Sequence, residues 1–306
     1  MTQGIIASLA ELIAIKRLTQ RSRYLPDNLQ RRAGSHRSTI KGRGMDFAEV
    51  RNYQAGDEIR HMEWRMTART GRPHIKIYEE ERERPVVILV DFSPSMYFGT
   101  QIAFKSCVAA RLAATIAWTA SAQGDRVGGL LNGATAHHEF TPRTREAGVL
   151  PLLAALCRYT HPTPWSRRTH ENERSLSDAL LRLRHVTKPG STLVIISDFY
   201  TLDDLCEQHL SRLRQHNTVL AYHITDALEL APPAALNTYA LTNGETTLTL
   251  DTRNTSAHEA YQQYCDTTQH HLIKQMSRLQ IQLTHVTAQT NLPLLVYQTY
   301  PRRSYG

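Results

Sequence analysis

The fold of this chain is decided by the stretch Pro85-Val86-Val87-Ile88-Leu89-Val90-Asp91-Phe92-Ser93-Pro94-Ser95. Its apolar run is short and rich in β-branched residues, a pattern typical of a strand that is buried on both faces of a sheet. The run ends at Asp91, and a helical pattern begins near Gln101. The stretch therefore predicts a strand, a loop and a helix, with one carboxylate and two hydroxyl groups in the loop.

A second apolar run, Ser191-Thr192-Leu193-Val194-Ile195-Ile196-Ser197-Asp198, also ends in aspartate. In open α/β sheets ligands bind beyond the carboxyl ends of the strands, so the two ends are expected to converge. Oxygen donors suit Mg²⁺, and Mn²⁺ or Ca²⁺ remain alternatives. The hypothesis is a metal site formed by Asp91, Ser93, Ser95 and Asp198. The alternative is that these residues only shape turns and cap helices, a common use of Ser and Asp.

Strands alternate with helices from Arg84 onward, which predicts an α/β fold with a mostly parallel sheet and right-handed crossovers. The Asn132-Gly133 pair indicates a hairpin and hence an antiparallel edge strand. The predicted strands are His74–Tyr78, Val86–Val90, Arg126–Leu131, His137–Phe140, Leu193–Ser197, Val219–Ile224, Tyr239–Leu241, Thr246–Leu250 and Gln280–Val286. The Asn243-Gly244 pair indicates a second hairpin turn, and loops are predicted at Gly34–Gly44 and Pro162–Arg174. The predicted helices are Ile5–Arg17, Gln101–Ala122, Ala147–Tyr159, Leu176–His185, Leu202–His216 and Ser256–Leu279. Residues 1–84 form an N-terminal extension, irregular with some β-structure, and residues 85–306 form the α/β domain.

The composition is that of an ordinary globular protein. The chain has 306 residues, of which 41% are apolar and 21% charged, and no stretch is long enough to predict a membrane span. Four cysteines are scattered without paired spacing. This pattern favours reduced thiols in a cytoplasmic protein over a zinc site or a disulfide framework.

Positive charge is concentrated at the N-terminus. Residues 1–45 carry a net charge of +7 out of +8 for the whole chain. The basic residues are Lys16, Arg17, Arg21, Arg23, Arg31, Arg32, Arg37, Lys41 and Arg43. One reading is a patch that binds nucleic acid or an acidic protein surface. The other is a solvated helical face followed by a flexible arm. Tyr24 is the one aromatic residue interleaved with these basic residues that could stack on a base. Nucleic-acid binding is therefore the less favoured function.

Asp91, Ser93, Ser95 and Asp198 on this strand order resemble the metal-ion-dependent adhesion site (MIDAS) of von Willebrand factor A domains. The upstream segment resembles the signature that precedes such a domain in the domain-of-unknown-function 58 family. Its residues are Gly42-Arg43-Gly44-Met45-Asp46-Phe47, Arg51-Asn52-Tyr53, Gly56-Asp57, Arg60, Glu63-Trp64 and Ala68-Arg69.

The resemblance covers nearly the whole chain and implies a von Willebrand factor A-like (Rossmann-like) sheet with helices on both faces. It also implies a partner, because such proteins are typically encoded beside MoxR-type AAA+ ATPases. The implied role is that of an adaptor in a chaperone-like or metal-insertion system. A-type domains supply a threonine to the metal from a second loop. In this sequence Arg174 or Ser175 stands at that position, and Ser177 and Thr169 are weaker candidates for the hydroxyl.

The signature segment has two interpretations of its own. Ion pairs between Arg51, Arg60 or Arg69 and the acidic residues Asp57 and Glu63 would clamp the segment. Trp64 would then anchor it by packing. Alternatively, the arginines receive an acidic partner.

Three functions follow, in order of preference. The first is a non-catalytic module in which a cation held by Asp91, Ser93 and Ser95 binds a carboxylate of a partner protein. The second is a magnesium-dependent phosphohydrolase with Asp91 as nucleophile. It is disfavoured because Ser93 occupies the usual place of the general acid and no phosphate-binding lysine is evident. The third is nucleic-acid binding through the basic N-terminal region.

Overall fold

The structure is a computed structural model that describes residues 4–22, 45–54, 56–80, 84–134, 136–161, 175–233, 237–242 and 247–301. It divides into two compact units. The larger contains residues 1–26 and 84–300, and the smaller contains residues 27–83 and 301–306. The strands are β1 (Met45–Asn52), β2 (His74–Glu80), β3 (Pro85–Phe92), β4 (Arg126–Gly133), β5 (His137–Arg143), β6 (Thr192–Ser197), β7 (Thr218–Ile224), β8 (Thr238–Thr242), β9 (Thr247–Asp251) and β10 (Gln282–Val286). The α-helices are α1 (Leu9–Ser22), α2 (Trp64–Thr70), α3 (Lys105–Ala122), α4 (Arg145–Tyr159), α5 (Leu176–Val186), α6 (Asp204–His216), α7 (Ala227–Leu230), α8 (Thr255–Arg278) and α9 (Leu292–Thr299).

Six strands of the larger unit form one sheet in the order β10, β7, β6, β3, β4, β5. The first five strands in this order run parallel to one another. Strand β5 runs antiparallel to β4 at the edge, as the Asn132-Gly133 pair predicts. Strand β3 lies inside the sheet, and every residue after Pro85 is buried. This burial explains its unbroken apolar run, because helices cover both faces. The predicted fold class, an α/β fold with a mostly parallel sheet and helices on both faces, is confirmed.

The two faces of the sheet carry separate hydrophobic cores. Helices α1, α3, α4 and α9 pack on the first face, and α5, α6 and α8 pack on the second. Side chains of β3 alternate between them, so that Val86, Ile88 and Val90 join the first core and Val87 and Leu89 the second. The alternation places Asp91 on the second face, at the carboxyl end of the strand.

Helix α1 docks on the first face. The indole Nε1 of Trp118 donates a hydrogen bond to the carbonyl oxygen of Leu12 over 3.0 Å, and Arg111 pairs with Glu11 at 2.6 Å. Ala7 just before the helix and Leu12 and Ile15 within it are buried, whereas Ile5 before it and Leu9, Ile13 and Leu18 within it remain exposed. Docking therefore uses one narrow stripe of the apolar pattern that predicts this helix.

The smaller unit is built on the antiparallel pair β1 and β2, whose register shifts between Phe47 and Glu49. Helix α2 ends at Gly71, which has φ 69° and ψ 8°. This left-handed conformation is one that glycine adopts without steric penalty, and it closes the helix before β2 begins.

Strand β1 and helices α2, α7 and α9 have no counterpart among the predicted elements. Helix α3 begins at Lys105, four residues later than predicted, because Phe104 has the extended conformation of an N-cap (φ −65°, ψ 148°). The predicted loops at Gly34–Gly44 and Pro162–Arg174 and the Asn243-Gly244 turn lie outside the described residues. Within the described ranges, none of the helices is both long enough and apolar enough to cross a bilayer.

Candidate functional site

Asp91 lies at the carboxyl end of β3 and is only 2% exposed. Its Oδ2 accepts a hydrogen bond from the hydroxyl of Ser197, the last residue of neighbouring β6, over 2.8 Å. Its Oδ1 accepts one from the backbone N–H of Ser93 over 3.0 Å. The carboxylate is therefore fixed by its own loop and by the adjacent strand.

The two loop serines extend this cluster toward solvent. A short 3₁₀ helix, Pro94–Met96, follows Ser93 and turns the chain back so that both hydroxyls lie on one side. The Oγ of Ser93 donates to Asp91 Oδ2 over 3.2 Å and lies 3.1 Å from the Oγ of Ser95. Both serines are only partly buried. The loop thus presents one carboxylate and two reachable hydroxyls.

Asp198 follows β6 and belongs to the same cluster. The nearby hydroxyl of Ser95 favours the charged form of its carboxylate and so lowers its pKa, and the backbone N–H of Tyr200 donates a hydrogen bond to it over 3.2 Å. The intervening Phe199 has a φ of 52°. This left-handed conformation is unfavourable for an aromatic residue, and such strain is concentrated at functional sites. The four residues predicted to converge are therefore brought together.

Lys105 is the residue of this site that the sequence analysis missed. It begins α3 and is 2% exposed. Its Nζ donates to Asp198 Oδ2 over 2.8 Å and to Glu229 Oε1 over 2.5 Å. Its position depends on a tight loop, since a Cβ at Gly99 would lie 2.4 Å from the carbonyl oxygen of Ala103. Lys105 was not predicted to lie here, because contacts across 93 and 124 residues bring it to the aspartates.

The two aspartates have opposite electrostatic environments. Burial and the charge of Asp198 raise the pKa of Asp91 to about 6, although Ser197 and Ser93 donate hydrogen bonds to it. Burial also acts to raise the pKa of Asp198, but the ammonium of Lys105 outweighs it and holds that pKa below its usual value. Burial acts to lower the pKa of Lys105, but the carboxylates of Asp198 and Glu229 raise it, so that the net shift is upward. Within the described ranges, none of the ion pairs involves Asp91.

Further polar side chains lie in the same transverse row of the sheet. The strand register sets Asn132 beside Asp91, His223 beside Ser197 and His285 beside His223. Asn132 is 1% exposed, and its Nδ2 has no hydrogen-bond partner in the described part of the chain. Burial and the neighbouring His285 lower the pKa of His223 to about 4, so this imidazole is neutral at pH 7. The carboxyl edge of the sheet is therefore polar over several strands.

Ser175, proposed to replace the second-loop threonine, caps α5. Its Oγ accepts from the N–H of Asp178 over 3.2 Å and lies 2.7 Å from the Oγ of Ser177. Of the hydrogen bonds between described residues, none joins Ser175 to the Asp91 cluster. Arg174 and Thr169, the other candidates for this position, lie outside the described residues.

The signature segment contains one of the expected ion pairs. Arg51 pairs with Asp57 at 2.7 Å, and Asp57 also accepts from the N–H of Gln54 over 2.8 Å. Glu63, however, pairs with Lys76. Glu63 and Arg69 lie six positions apart, about 9 Å along the axis of a helix, and no ion pair joins them among the described residues.

Trp64 is 67% exposed, which contradicts its expected role as a packing anchor. The Nη2 of Arg69 contacts Met66 Sδ at 3.7 Å. Arg60 lies in the 3₁₀ helix Ile59–His61 and has no carboxylate partner among the described residues. The clamp is therefore limited, in the described part of the segment, to the turn that Arg51 and Asp57 hold.

The donors of Asp91, Ser93 and Ser95 fit a small, hard cation. The distances of 3.2 Å and 3.1 Å between their oxygens are close to the separation of about 2.9 Å between adjacent ligands of octahedral Mg²⁺. Among the described residues, no three His, Cys, Asp or Glu side chains converge on one point, so a cation here would depend on the hydroxyls. Asp198 is already neutralised by Lys105.

Comparison with known proteins shows the family. Residues 49–271 match the model described as "Protein of unknown function DUF58". Uncharacterized proteins of Mycobacterium tuberculosis and Mycobacterium bovis are each 30% identical to this chain over 200 residues, or 65% of its length. The match spans 59% of the length of each relative.

Two solved structures are also similar to this chain. The conserved hypothetical protein BatB from Bacteroides thetaiotaomicron is 11% identical, with a TM-score of 0.42 over 70% of this chain and 96% of that one. A von Willebrand factor type A protein from Catenulispora acidiphila is 12% identical, with a TM-score of 0.32 over 49% of this chain and 35% of that one. Because the family model matches well over half of its residues, this chain belongs to the DUF58 family.

Proposed function

We propose that this chain is a non-catalytic, metal-dependent protein-interaction module that takes a carboxylate of a partner protein at the end of β3. The observation that carries the proposal is the convergence of Asp91 with the hydroxyls of Ser93 and Ser95, with oxygen atoms 3.1–3.2 Å apart. These donors are hard oxygens of the kind that Mg²⁺ prefers, and Mn²⁺ and Ca²⁺ bind similar groups. The partly buried serines leave one side of the cluster open to solvent.

Each residue of the proposed cation site has a distinct role. Asp91 supplies the negative charge, and the hydroxyl of Ser197 fixes its carboxylate from the adjacent strand. Ser93 and Ser95 supply neutral oxygens, so that a bound cation keeps most of its positive charge. Mg²⁺, when bound, supplies an open coordination position for an acidic side chain. Asp198 remains paired with Lys105, so that Asp91 is the one donor of the cluster whose charge directly offsets that of a bound cation.

The same geometry disfavours the phosphohydrolase. A nucleophilic aspartate needs a nearby general acid, and Ser93 stands at the expected position. Lys105 lies close to the aspartates, but its ammonium is 2% exposed and bonded to both Asp198 and Glu229. It therefore has little capacity to bind a phosphate from solvent, and we assign the site to binding.

The proposed partner is a MoxR-type AAA+ ATPase, which the family resemblance implies, and the proposed role is that of an adaptor in complex assembly. The net charge of +8 favours an acidic partner surface and faster association with it. Six of the nine basic residues of the N-terminal region lie outside the described residues, and nucleic acid is the less favoured ligand. We place this activity in the cytoplasm because Cys107, Cys157, Cys206 and Cys265 are unpaired.

The proposal is tested by measuring the affinity for a MoxR-type ATPase from the same organism at fixed Mg²⁺ and nucleotide concentrations. Because both concentrations are constant, any change in affinity comes from the variant and not from the ATPase. Ser93→Ala should weaken binding by about tenfold or more. Ser211→Ala, which removes an exposed hydroxyl of α6, is the matched control and should leave the affinity unchanged. Equal affinities for the wild type and both variants would place the interface elsewhere.

A further inference from the structure

The buried ammonium of Lys105 is an unusual feature for a helix start. Of the eighteen residues of α3, fourteen are buried, and Lys105 is among them. A buried cation needs compensating partners, because transfer from water to the protein interior strongly disfavours the charge. Lys105 has two such partners, Asp198 at 2.8 Å and Glu229 at 2.5 Å. The partners differ in exposure, since the side chain of Asp198 is 5% exposed and that of Glu229 is 36% exposed.

Asp198 connects this ion pair directly to the donor cluster. Its carboxylate pairs with Lys105 at 2.8 Å and lies near the hydroxyl of Ser95, which lowers its pKa; the Oγ of Ser95 lies 3.1 Å from the Oγ of Ser93. One carboxylate therefore lies between a permanent cation and the serines that are proposed to hold a divalent one. Two cations that share a carboxylate repel each other and compete for its charge.

Hydrogen bonds fix Glu229 in a position where its carboxylate pairs with the Lys105 ammonium. Its Oε2 accepts from the N–H of Asp226 over 2.9 Å in the capping box of α7. Asp226 in turn accepts from the N–H and the hydroxyl of Thr100 over 3.0 Å and 2.5 Å. Thr100 belongs to the loop between Ser95 and Lys105, so the network fixes this segment at its middle and at the lysine.

We infer that Lys105 is an internal counter-ion that holds Asp198 in the absence of metal and limits how tightly the site binds a divalent cation. Glu229 is the second carboxylate partner of Lys105, and it stabilises the ammonium when a divalent cation attracts the charge of Asp198. The inference rests on the proposed function, because it names the group that regulates the proposed metal site. Lys105 is a positioning residue in this account and does not touch the cation.

The test is calorimetric titration of MgCl₂ into the full chain, first stripped of metal with a chelator. Lys105→Met should tighten Mg²⁺ binding by about tenfold or more, since it removes the competing charge. Lys188→Met, which removes an exposed lysine after α5, is the control and should leave the affinity unchanged. In the Asp198→Asn background, Lys105→Met should give no further gain. A tenfold gain that persists in that background would show that Lys105 does not act through Asp198.

Glu229→Gln provides an independent test if Lys105→Met does not fold. With Glu229 neutral, the ammonium depends on Asp198 alone, so Mg²⁺ should bind several-fold more weakly than to the wild type. An unchanged or tighter affinity would overturn the inference.

The outcomes separate this inference from the proposed function. Saturable binding to Lys105→Met but not to the wild type supports the inference and contradicts metal dependence in the wild type. Equal affinity for both chains overturns the inference and leaves the proposed function in place. No saturable binding to either chain overturns both.

Discussion

The carboxylate of Asp91 and the hydroxyl of Ser197 are joined by a hydrogen bond of 2.8 Å that links the ends of two adjacent parallel strands. This bond and two others from Ser93 stabilise the charged form of Asp91. They do not compensate for its burial, which together with Asp198 raises its pKa to about 6. Asp91 is therefore charged at neutral pH in a position where the charge is unfavourable, as expected of a residue kept for binding.

Asp91→Asn should stabilise the metal-free protein at neutral pH. The pKa of Asp91 is about 6 in the folded state against an ordinary value of 3.8. The folded state therefore binds the proton more tightly, and the favourable contribution is present below pH 3.8 and lost as the pH rises through 6. Relative to the wild type, the stability of Asp91→Asn should rise by roughly 2 kcal/mol between about pH 4.5 and pH 7.5.

Urea unfolding in the presence of chelator at the two pH values measures this difference. The titration of His223 affects both chains alike and cancels. Asp204→Asn, an exposed carboxylate at the start of α6, is the control. An Asp91→Asn stability difference that does not change with pH would contradict the buried, uncompensated charge.

Lys105→Met should destabilise the metal-free protein strongly. Removal of the ammonium leaves Asp198 buried without its counter-charge, and breaking a buried pair in this way costs about 3–5 kcal/mol. The double variant with Asp198→Asn should lose less than Lys105→Met alone, because the orphaned charge is also removed. Urea unfolding of the single and double variants measures this coupling. Additive losses would mean that the two side chains do not act as a pair.

Truncation of two tryptophans should change the free energy of unfolding by very different amounts. Trp118 is 3% exposed and anchors α1 through its hydrogen bond to Leu12, so Trp118→Ala should lower the free energy of unfolding by about 3–5 kcal/mol. Trp64 is 67% exposed, so Trp64→Ala should change it by less than about 0.5 kcal/mol. Chemical denaturation followed by circular dichroism checks both values. A large loss for Trp64→Ala would restore the packing role expected from the sequence.

The central sheet follows directly from the sequence because each of its buried strands is a short apolar run with a clear boundary. The run ending at Asp91 predicts β3 to within two residues, and the Asn132-Gly133 turn predicts the antiparallel edge. Strand β1 was missed because its sequence, Met-Asp-Phe-Ala-Glu-Val-Arg-Asn, mixes charged and apolar residues. It pairs with one partner strand, so it needs no continuous apolar run.

The donor cluster was predictable because its members end two buried strands, and parallel strands bring such ends to one edge. Lys105 was not, since its partner Asp198 is 93 residues away. The one available signal is a lysine at the first position of a helix whose next nine residues contain a single charged side chain, Arg111. The exposure of Trp64 was missed for the opposite reason, because sequence alone does not show whether a large aromatic finds a surface to pack on.

Calorimetric titration of Mg²⁺ into the chelator-stripped wild type, compared with Asp91→Asn and Asp204→Asn, tests the metal-dependent site most directly. We expect one saturable Mg²⁺ site in the wild type and in Asp204→Asn, and its loss in Asp91→Asn. Absence of saturable binding in the wild type, or the same affinity in Asp91→Asn, would contradict this expectation.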